Sequence, residues 1–410
     1  MKESQFAVLA GWIAEAGLAG RSEAALVTGV CERMVAAGLP LARATVLVDT
    51  LHPVYEGRAL FWRRGGEVRV TDYGPSDTGP AAESWQRSPF YHLFHSSDAV
   101  LRRRCTPEGG AEFPLIGELA AEGMTDYIAF VSRIAAEGVI GNMDCVYSSW
   151  VADAPGGFGE ADVAAIERLV PQLALAVKSA SLARIAGTLV ETYLGRDAGR
   201  RVLSGSIARG VADRIDAVLW FSDLRSYTHI SDRSPPEQII PLLNDYAEAV
   251  VSAVHGAGGD VLKLMGDGTL AIFTDGGRGE AGRAALAAAE AARRAVAALN
   301  ERRREAALPT TELYLGLHVG EVFYGNVGSQ SRLDFTVVGP AVNEVSRIAA
   351  MCRSVDQPVL LSSAFADSIG AADGRFVSVG RFALRGVGRP QHLYTIDAAG
   401  EAAAEGDPAG

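Results

Sequence analysis

The sequence holds only four cysteines, Cys31, Cys105, Cys145 and Cys352, among 410 residues. They are scattered and none forms a CxxC pair, which argues against a disulfide framework and favours a reducing compartment. No apolar stretch approaches the roughly 18 uninterrupted residues of a membrane span. The short apolar run at the N-terminus is broken by Glu15, so neither a span nor a signal peptide is expected, and the expected location is cytoplasmic. Positive charge is also scarce. Lys and Arg number 38 against 49 Asp and Glu, a formal net charge of −11. That balance disfavours non-specific binding to nucleic acid or anionic membrane, while leaving room for a local basic pocket. The rest is ordinary: 48% hydrophobic and 21% charged residues, in a chain long enough for two domains.

The pattern along the chain supports that division. Apolar residues at helical spacing predict two helices over 5–38. Strands are expected at 44–50, 59–64 and 67–73, the last two joined at Gly65-Gly66, and again at 126–133 and 142–152. The proline- and serine-bearing stretch 74–90 reads as a long loop. A glycine turn then leads into a long helix, and the apolar stripe continues as a stalk from about 160 to 203, with Pro171 expected to kink it. From about Asp216 the texture changes. A strand is expected at 217–224, a helix at 235–258, two strands around Gly266-Asp267-Gly268 at 260–273, an alanine-rich helix at 280–306, a strand pair at 311–328 and a helix at 342–354. The tail 401–410 lacks large apolar residues and is expected to be disordered.

Three segments of the second half carry chemistry. In FSDLRSYT (221–228) a strand delivers Asp223 to its end, and the chain turns into Ser226 and Thr228, where backbone N–H groups can meet a phosphate. In KLMGDGTLAIF (263–273) Asp267 stands at a hairpin tip between two glycines. Taken alone, each Asp is an ordinary strand-end or turn residue. Together they could build a two-metal site, because Mg²⁺ favours one or two carboxylates plus substrate phosphates. In FTVVGPAVNEVSRIAAM (335–351) Asn343 and Arg347 lie four apart and share one helix face. An amide and a guanidinium so placed can orient a ribose and clamp a phosphate, although a solvated polar face has the same look.

These segments, with GLHVGEVFYGNVGS (316–329), DFTVVGPAVNEVSRI (334–348) and ALRGVGRPQHLY (383–394), resemble class III adenylyl and guanylyl cyclases over about 216–397, in family order. The resemblance implies an α+β protein with a ferredoxin-like catalytic domain at 213–398, behind a helical linker at 179–212. By the same resemblance Asp223 and Asp267, with the Leu224 carbonyl, hold two Mg²⁺ or Mn²⁺ ions per active site. Asn343 orients the ribose and Arg347 stabilises charge on the reacting phosphate. Arg385 stands where the family usually has a triphosphate-binding lysine, and Pro340 where many relatives carry Asp. The base-reading positions fall on Lys263 and Thr336. Lys donates to adenine N1 and the Thr hydroxyl accepts from the 6-amino group; Thr departs from the Asp of many adenylyl cyclases. The implied reaction is ATP to cyclic AMP and pyrophosphate in a head-to-tail homodimer with sites at the interface. A guanylate cyclase and a catalytically silent nucleotide-binding dimerisation module are the competing readings.

For the first half, 1–178, the segment 148–177 resembles the end of GAF domains. That implies an antiparallel sheet flanked by helices, with a regulatory role and a small ligand of unknown identity. His92, His95 and Cys105 fit no named zinc spacing and read as surface or packing residues. Trp62, Trp85, Phe90, Tyr91 and Trp150 could line a pocket but read first as core. His229, His255 and His318 are expected to be structural.

Overall fold

The computed structural model describes residues 1–74, 79–134, 143–370 and 375–396. The expected disorder of 401–410 lies outside them. Two compact units divide at Leu189/Val190.

The first unit opens with helices α1 (Glu3–Leu18) and α2 (Glu23–Ala36), the latter capped by the Ser22 hydroxyl. Strands β1 (Leu41–Asp49), β2 (Gly57–Arg63) and β3 (Arg69–Tyr73) follow as an antiparallel meander. The stretch expected to be a loop instead holds α3 (Gly79–Gln86) and α4 (Pro89–His95). Prolines misled the reading: Pro89 occupies the first turn of its helix, where no N–H is needed, and Ser88 caps it. Then come β4 (Val100–Arg104), α5 (Pro114–Ala121), β5 (Asp126–Arg133) and β6 (Cys145–Ala152). The six strands form one antiparallel sheet in the order β3-β2-β1-β6-β5-β4. One face packs under α1, α2 and the long helix α6 (Glu160–Leu194), through Ile13, Leu26, Val46, Trp150, Ile166 and Leu173. The other carries Tyr127, Tyr147 and Val151 against Phe90, Leu93 and Ile116 of α4 and α5. Burial on both faces explains why β5 and β6 lack polar alternation.

Helix α6 runs through Pro171 without interruption. It is long and apolar enough, by length and composition, to cross a membrane. Its Ala165, Ile166, Leu169, Val170, Leu173 and Val177 are buried, and 33% of its most apolar 18-residue window is buried in all. Gly195, at φ 88°, ends this helix, and α7 (Arg196–Leu203) begins anew.

The second unit contains β7 (Ala212–Leu224), α8 (Tyr227–Arg233), α9 (Pro236–Gly256), β8 (Asp260–Met265), β9 (Gly268–Phe273), α10 (Gly277–Glu305), β10 (Leu313–Gly328), β11 (Leu333–Val338), α11 (Pro340–Val355), β12 (Val359–Ser362), α12 (Ser363–Ile369), β13 (Phe376–Phe382) and β14 (Gln391–Ile396). The sheet order is β13-β14-β12-β10-β7-β9-β8, with β11 paired to β10. Its centre, β10-β7-β9-β8 with α9 and α10 as crossovers, is the ferredoxin-like βαββαβ arrangement. Helices α9 and α10 cover one face. Ala285, Ala288, Ala289 and Ala292 are fully buried there, so the alanine-rich composition lets α10 approach the sheet closely.

The expected strand pair at 311–328 is one continuous strand, β10, whose hairpin partner is β11. Two glycines of this strand serve packing. A Cβ on Gly316 would lie 2.7 Å from the Ala349 amide nitrogen and 2.8 Å from the Val345 carbonyl; one on Gly320 would lie 2.7 Å from Ala341 Cβ. These two glycines seat α11, the helix of Asn343 and Arg347, directly on β10. Replacing Gly316 with valine is expected to cost about 3 kcal/mol or more, because backbone atoms must move. A denaturant melt of the variant checks this, and an unchanged midpoint would show that α11 sits more loosely.

Candidate active site

Strand β7 delivers Asp223 one residue before its end, and the β8–β9 turn delivers Asp267 beside it. Gly266 at φ 66° supplies the left-handed backbone of that turn. The Asp267 carboxylate accepts a hydrogen bond from the Leu224 amide at 3.3 Å. The Asp223 Oδ1 oxygen is buried without a hydrogen-bond partner. Burial pushes the Asp223 carboxyl up to about 6, and the Asp267 charge adds to it. A buried carboxylate oxygen with no donor, next to a second carboxylate, is costly unless a cation completes it. The residues therefore fit a divalent ion. Among the described residues no group of three or more His, Cys, Asp or Glu could hold a metal. Two carboxylates and a carbonyl are a Mg²⁺-type donor set that leaves positions for phosphate oxygens.

The strand end is held by a buried polar network that sequence reasoning did not identify. Tyr246 on α9 hydrogen-bonds Asn300 on α10 and accepts from the Thr311 amide at 2.8 Å. The Asn300 amide donates to the Thr311 carbonyl at 2.8 Å, and the Thr311 hydroxyl donates to the Arg225 carbonyl at 2.6 Å. Two helices and the loop before β10 thus fix the chain just past Asp223. Nothing in the spacing of Tyr246, Asn300 and Thr311 pairs them; only the packing does. Beyond Leu224, Arg225 pairs with Glu312 at 2.7 Å and Asp356 at 3.3 Å. Ser226 adopts left-handed backbone at φ 57° and precedes α8; both Ser226 and Thr228 are exposed. A cavity of about 90 Å³ lies beside Asp267, lined by Ser222, Leu224, Asn244, Tyr246 and Thr269 among others. It is far smaller than the ~300–1,000 Å³ of a typical small-molecule site.

The remaining candidates lie elsewhere on the unit. Asn343 and Arg347 are exposed on one face of α11. Near the start of that helix Ala341 packs on Gly320, whose strand partner is Ala217. Ala217 precedes Asp223 by six residues, or about 20 Å of strand. Further along α11, Val345 and Ala349 flank Gly316, whose strand partner is Phe221, two residues before Asp223, while Asn343 and Arg347 stand on the exposed face turned away from the sheet. Lys263 on β8 makes an ion pair with Asp334 on β11. Thr336 lies two residues on, and both it and Asp334 point away from the buried face that carries Phe335 and Val337. Asp334 was not singled out from the sequence, although its place two residues before Thr336 on a strand puts it on the same face. Arg385 is exposed in the turn between β13 and β14.

The histidines take structural places. His318 is buried, its Nδ1 2.8 Å from the Ser362 hydroxyl that caps α12 and its Nε2 3.5 Å from Glu344. Burial drives its pKa down to about 4. In the first unit His95 contacts the Tyr91 carbonyl and His92 stands edge-on to Phe113.

The chain is similar to known cyclases in this region. The family model described as "Adenylate and Guanylate cyclase catalytic domain" matches residues 211–398. An adenylate cyclase of Anabaena cylindrica is 34% identical over 161 residues, covering 38% of this chain and 31% of its own length. The solved guanylyl cyclase Cya2 is 26% identical, covers 46% of this chain and 95% of that one, and superposes with a TM-score of 0.41. The adenylyl cyclase CyaB from P. aeruginosa is 25% identical, with coverages of 46% and 96% and a TM-score of 0.42. The chain spans about a third of the length of the curated relatives it matches.

Proposed function

Residues 211–398 are a class III adenylyl/guanylyl cyclase catalytic domain, and from that premise we propose that the protein converts ATP to 3′,5′-cyclic AMP and pyrophosphate. The observation that carries the reading is the partnerless buried oxygen of Asp223 beside Asp267. These carboxylates, with the Leu224 carbonyl, would hold two Mg²⁺ or Mn²⁺ ions. When bound, such ions supply positive charge for the attacking 3′-oxygen and the departing pyrophosphate. The 3′-oxygen bonds to the α-phosphorus as the bond to the β-phosphate oxygen breaks. Arg347 stabilises charge on the reacting phosphate and Asn343 orients the ribose. Arg385, Ser226 and Thr228 contact the triphosphate.

The outward-facing placement of Asn343 and Arg347 on α11, and the small cavity beside Asp267, support a head-to-tail homodimer. There one protomer's carboxylates face its partner's α11. The first unit regulates this reaction.

Base choice rests on Lys263, which can only donate, and Thr336, which can accept from the adenine 6-amino group. Asp334 holds the Lys263 ammonium beside Thr336. The test is the ratio of kcat/KM for ATP to that for GTP. Wild type is expected to favour ATP, and Lys263→Glu is expected to lower the ratio by about a hundredfold, since Glu accepts from guanine N1–H and 2-amino groups. Preferential use of GTP by wild type would make the protein a guanylate cyclase.

A further inference from the structure

The first unit contains a cavity of about 960 Å³ that the cyclase reaction does not use. Of the aromatic residues singled out in the sequence, Trp85 and Phe90 line it, while Trp62 and Trp150 belong to the core on the sheet's other face. The lining is unusual in its charge. Asp49, Glu56 and Asp144 are among it, and none of the described lining residues is Lys or Arg. Two guanidinium groups touch the wall from outside: Arg184 bonds the Thr50 hydroxyl at 3.2 Å and is held by Glu23 at 2.9 Å, and Arg133 donates to the Leu93, Phe94 and Ser96 carbonyls; His52 is the imidazole of the lining.

The aromatic side is organised around Tyr147 on β6. Trp85 stands edge-on to it at 5.5 Å between ring centroids, and Phe90 and Phe94 approach at 5.6 and 6.4 Å. On the opposite side Tyr73 donates its hydroxyl to Asp49 at 3.0 Å. Gly57 makes room for this contact, because a Cβ there would fall 2.1 Å from the Tyr73 oxygen. Burial pushes the Asp49 carboxyl up to about 7, with Asp144 and Glu56 adding to the rise. Three carboxylates therefore converge on one half-buried space walled by ring faces and edges.

A space with that lining repels anions. A phosphate or cyclic nucleotide would meet Asp49 and Asp144 with no Lys or Arg among the described lining residues. It suits the opposite charge, because aromatic rings and carboxylates together replace the hydration of an ammonium group. We propose that the first unit binds a small organic cation, an aromatic or alkylated amine, with the ammonium at Asp49 and Asp144 and its apolar body against Trp85, Phe90 and Tyr147. The proposal does not depend on which nucleotide the second unit uses.

The test is calorimetry and tryptophan fluorescence on the full-length protein with tryptamine, benzyltrimethylammonium and indole-3-acetate. Tryptamine and benzyltrimethylammonium are expected to bind saturably, one per chain. Indole-3-acetate, similar in size but anionic, should bind at least about tenfold more weakly. Asp49→Asn and, separately, Asp144→Asn should each weaken tryptamine by about tenfold, while Asp267→Ala in the second unit leaves it unchanged. Using two separate variants guards against one that fails to fold, and near-ultraviolet dichroism reports on each. Equal binding of indole-3-acetate would overturn the proposal. So would tryptamine affinity unchanged in both folded Asn variants, or the absence of saturable binding by either cation at millimolar concentration.

Discussion

Replacing Asp267 with alanine is expected to lower cyclase turnover by about a thousandfold or more, without unfolding the protein. Asp267 is half-buried at a hairpin tip, and its one described hydrogen bond is to the Leu224 amide. Its charge helps to push the neighbouring Asp223 carboxyl up. In the metal-free protein, removing it relieves a like-charge contact, so thermal stability should hold or rise slightly. With metal the sign reverses. Mn²⁺ together with a non-hydrolysable ATP analogue should raise the melting temperature of wild type and leave Asp267→Ala nearly unmoved. Turnover assays and paired melts check both halves. Loss of activity together with a collapse of the metal-free melt would instead mark Asp267 as a structural residue of the turn.

Mixing two inactive variants is expected to restore activity. Asp267→Ala lacks a metal carboxylate and Arg347→Ala lacks the guanidinium that stabilises the reacting phosphate. Each homodimer then has two defective sites. In a mixed dimer both defects fall into one site, and the other site is intact. With random exchange half of the dimers are mixed and each has one working site of two, so about a quarter of wild-type activity should return. The physical basis is the direction in which α11 presents these side chains: Ala341, Val345, Ile348 and Ala349 are buried, whereas Asn343 and Arg347 stand on the exposed face, turned away from the sheet that carries Asp223. Activity assayed against mixing ratio checks this. A mixture as inactive as its components would mean that each site is built from a single chain.

Much of the second unit was legible in the sequence. The strand ending at Asp223, the Gly266-Asp267-Gly268 turn and the helix of Asn343 and Arg347 rest on local signals: period, turn glycines and capping. What escaped depended on contacts between distant segments. The packing role of Gly316 and Gly320 escaped because sequence does not show that a helix lies on them. Asp334 becomes meaningful only when β11 brings it to Lys263. The Tyr246, Asn300 and Thr311 network joins two helices and the loop before β10. In the first unit, α3 and α4 are not legible as helices because prolines and serines can start helices as well as break them. The acidic character of the cavity was equally hidden, since Asp144 is far along the chain from Asp49 and Glu56 and reaches them only through the pairing of β1 with β6.

The most direct measurement is product analysis of the purified full-length protein with ATP or GTP in the presence of Mn²⁺ or Mg²⁺. Cyclic AMP and pyrophosphate should form in equal amounts from ATP, with much less cyclic GMP from GTP. Absence of both cyclic nucleotides from a folded, metal-supplied protein would contradict the enzyme reading and leave a nucleotide-binding dimerisation module in its place.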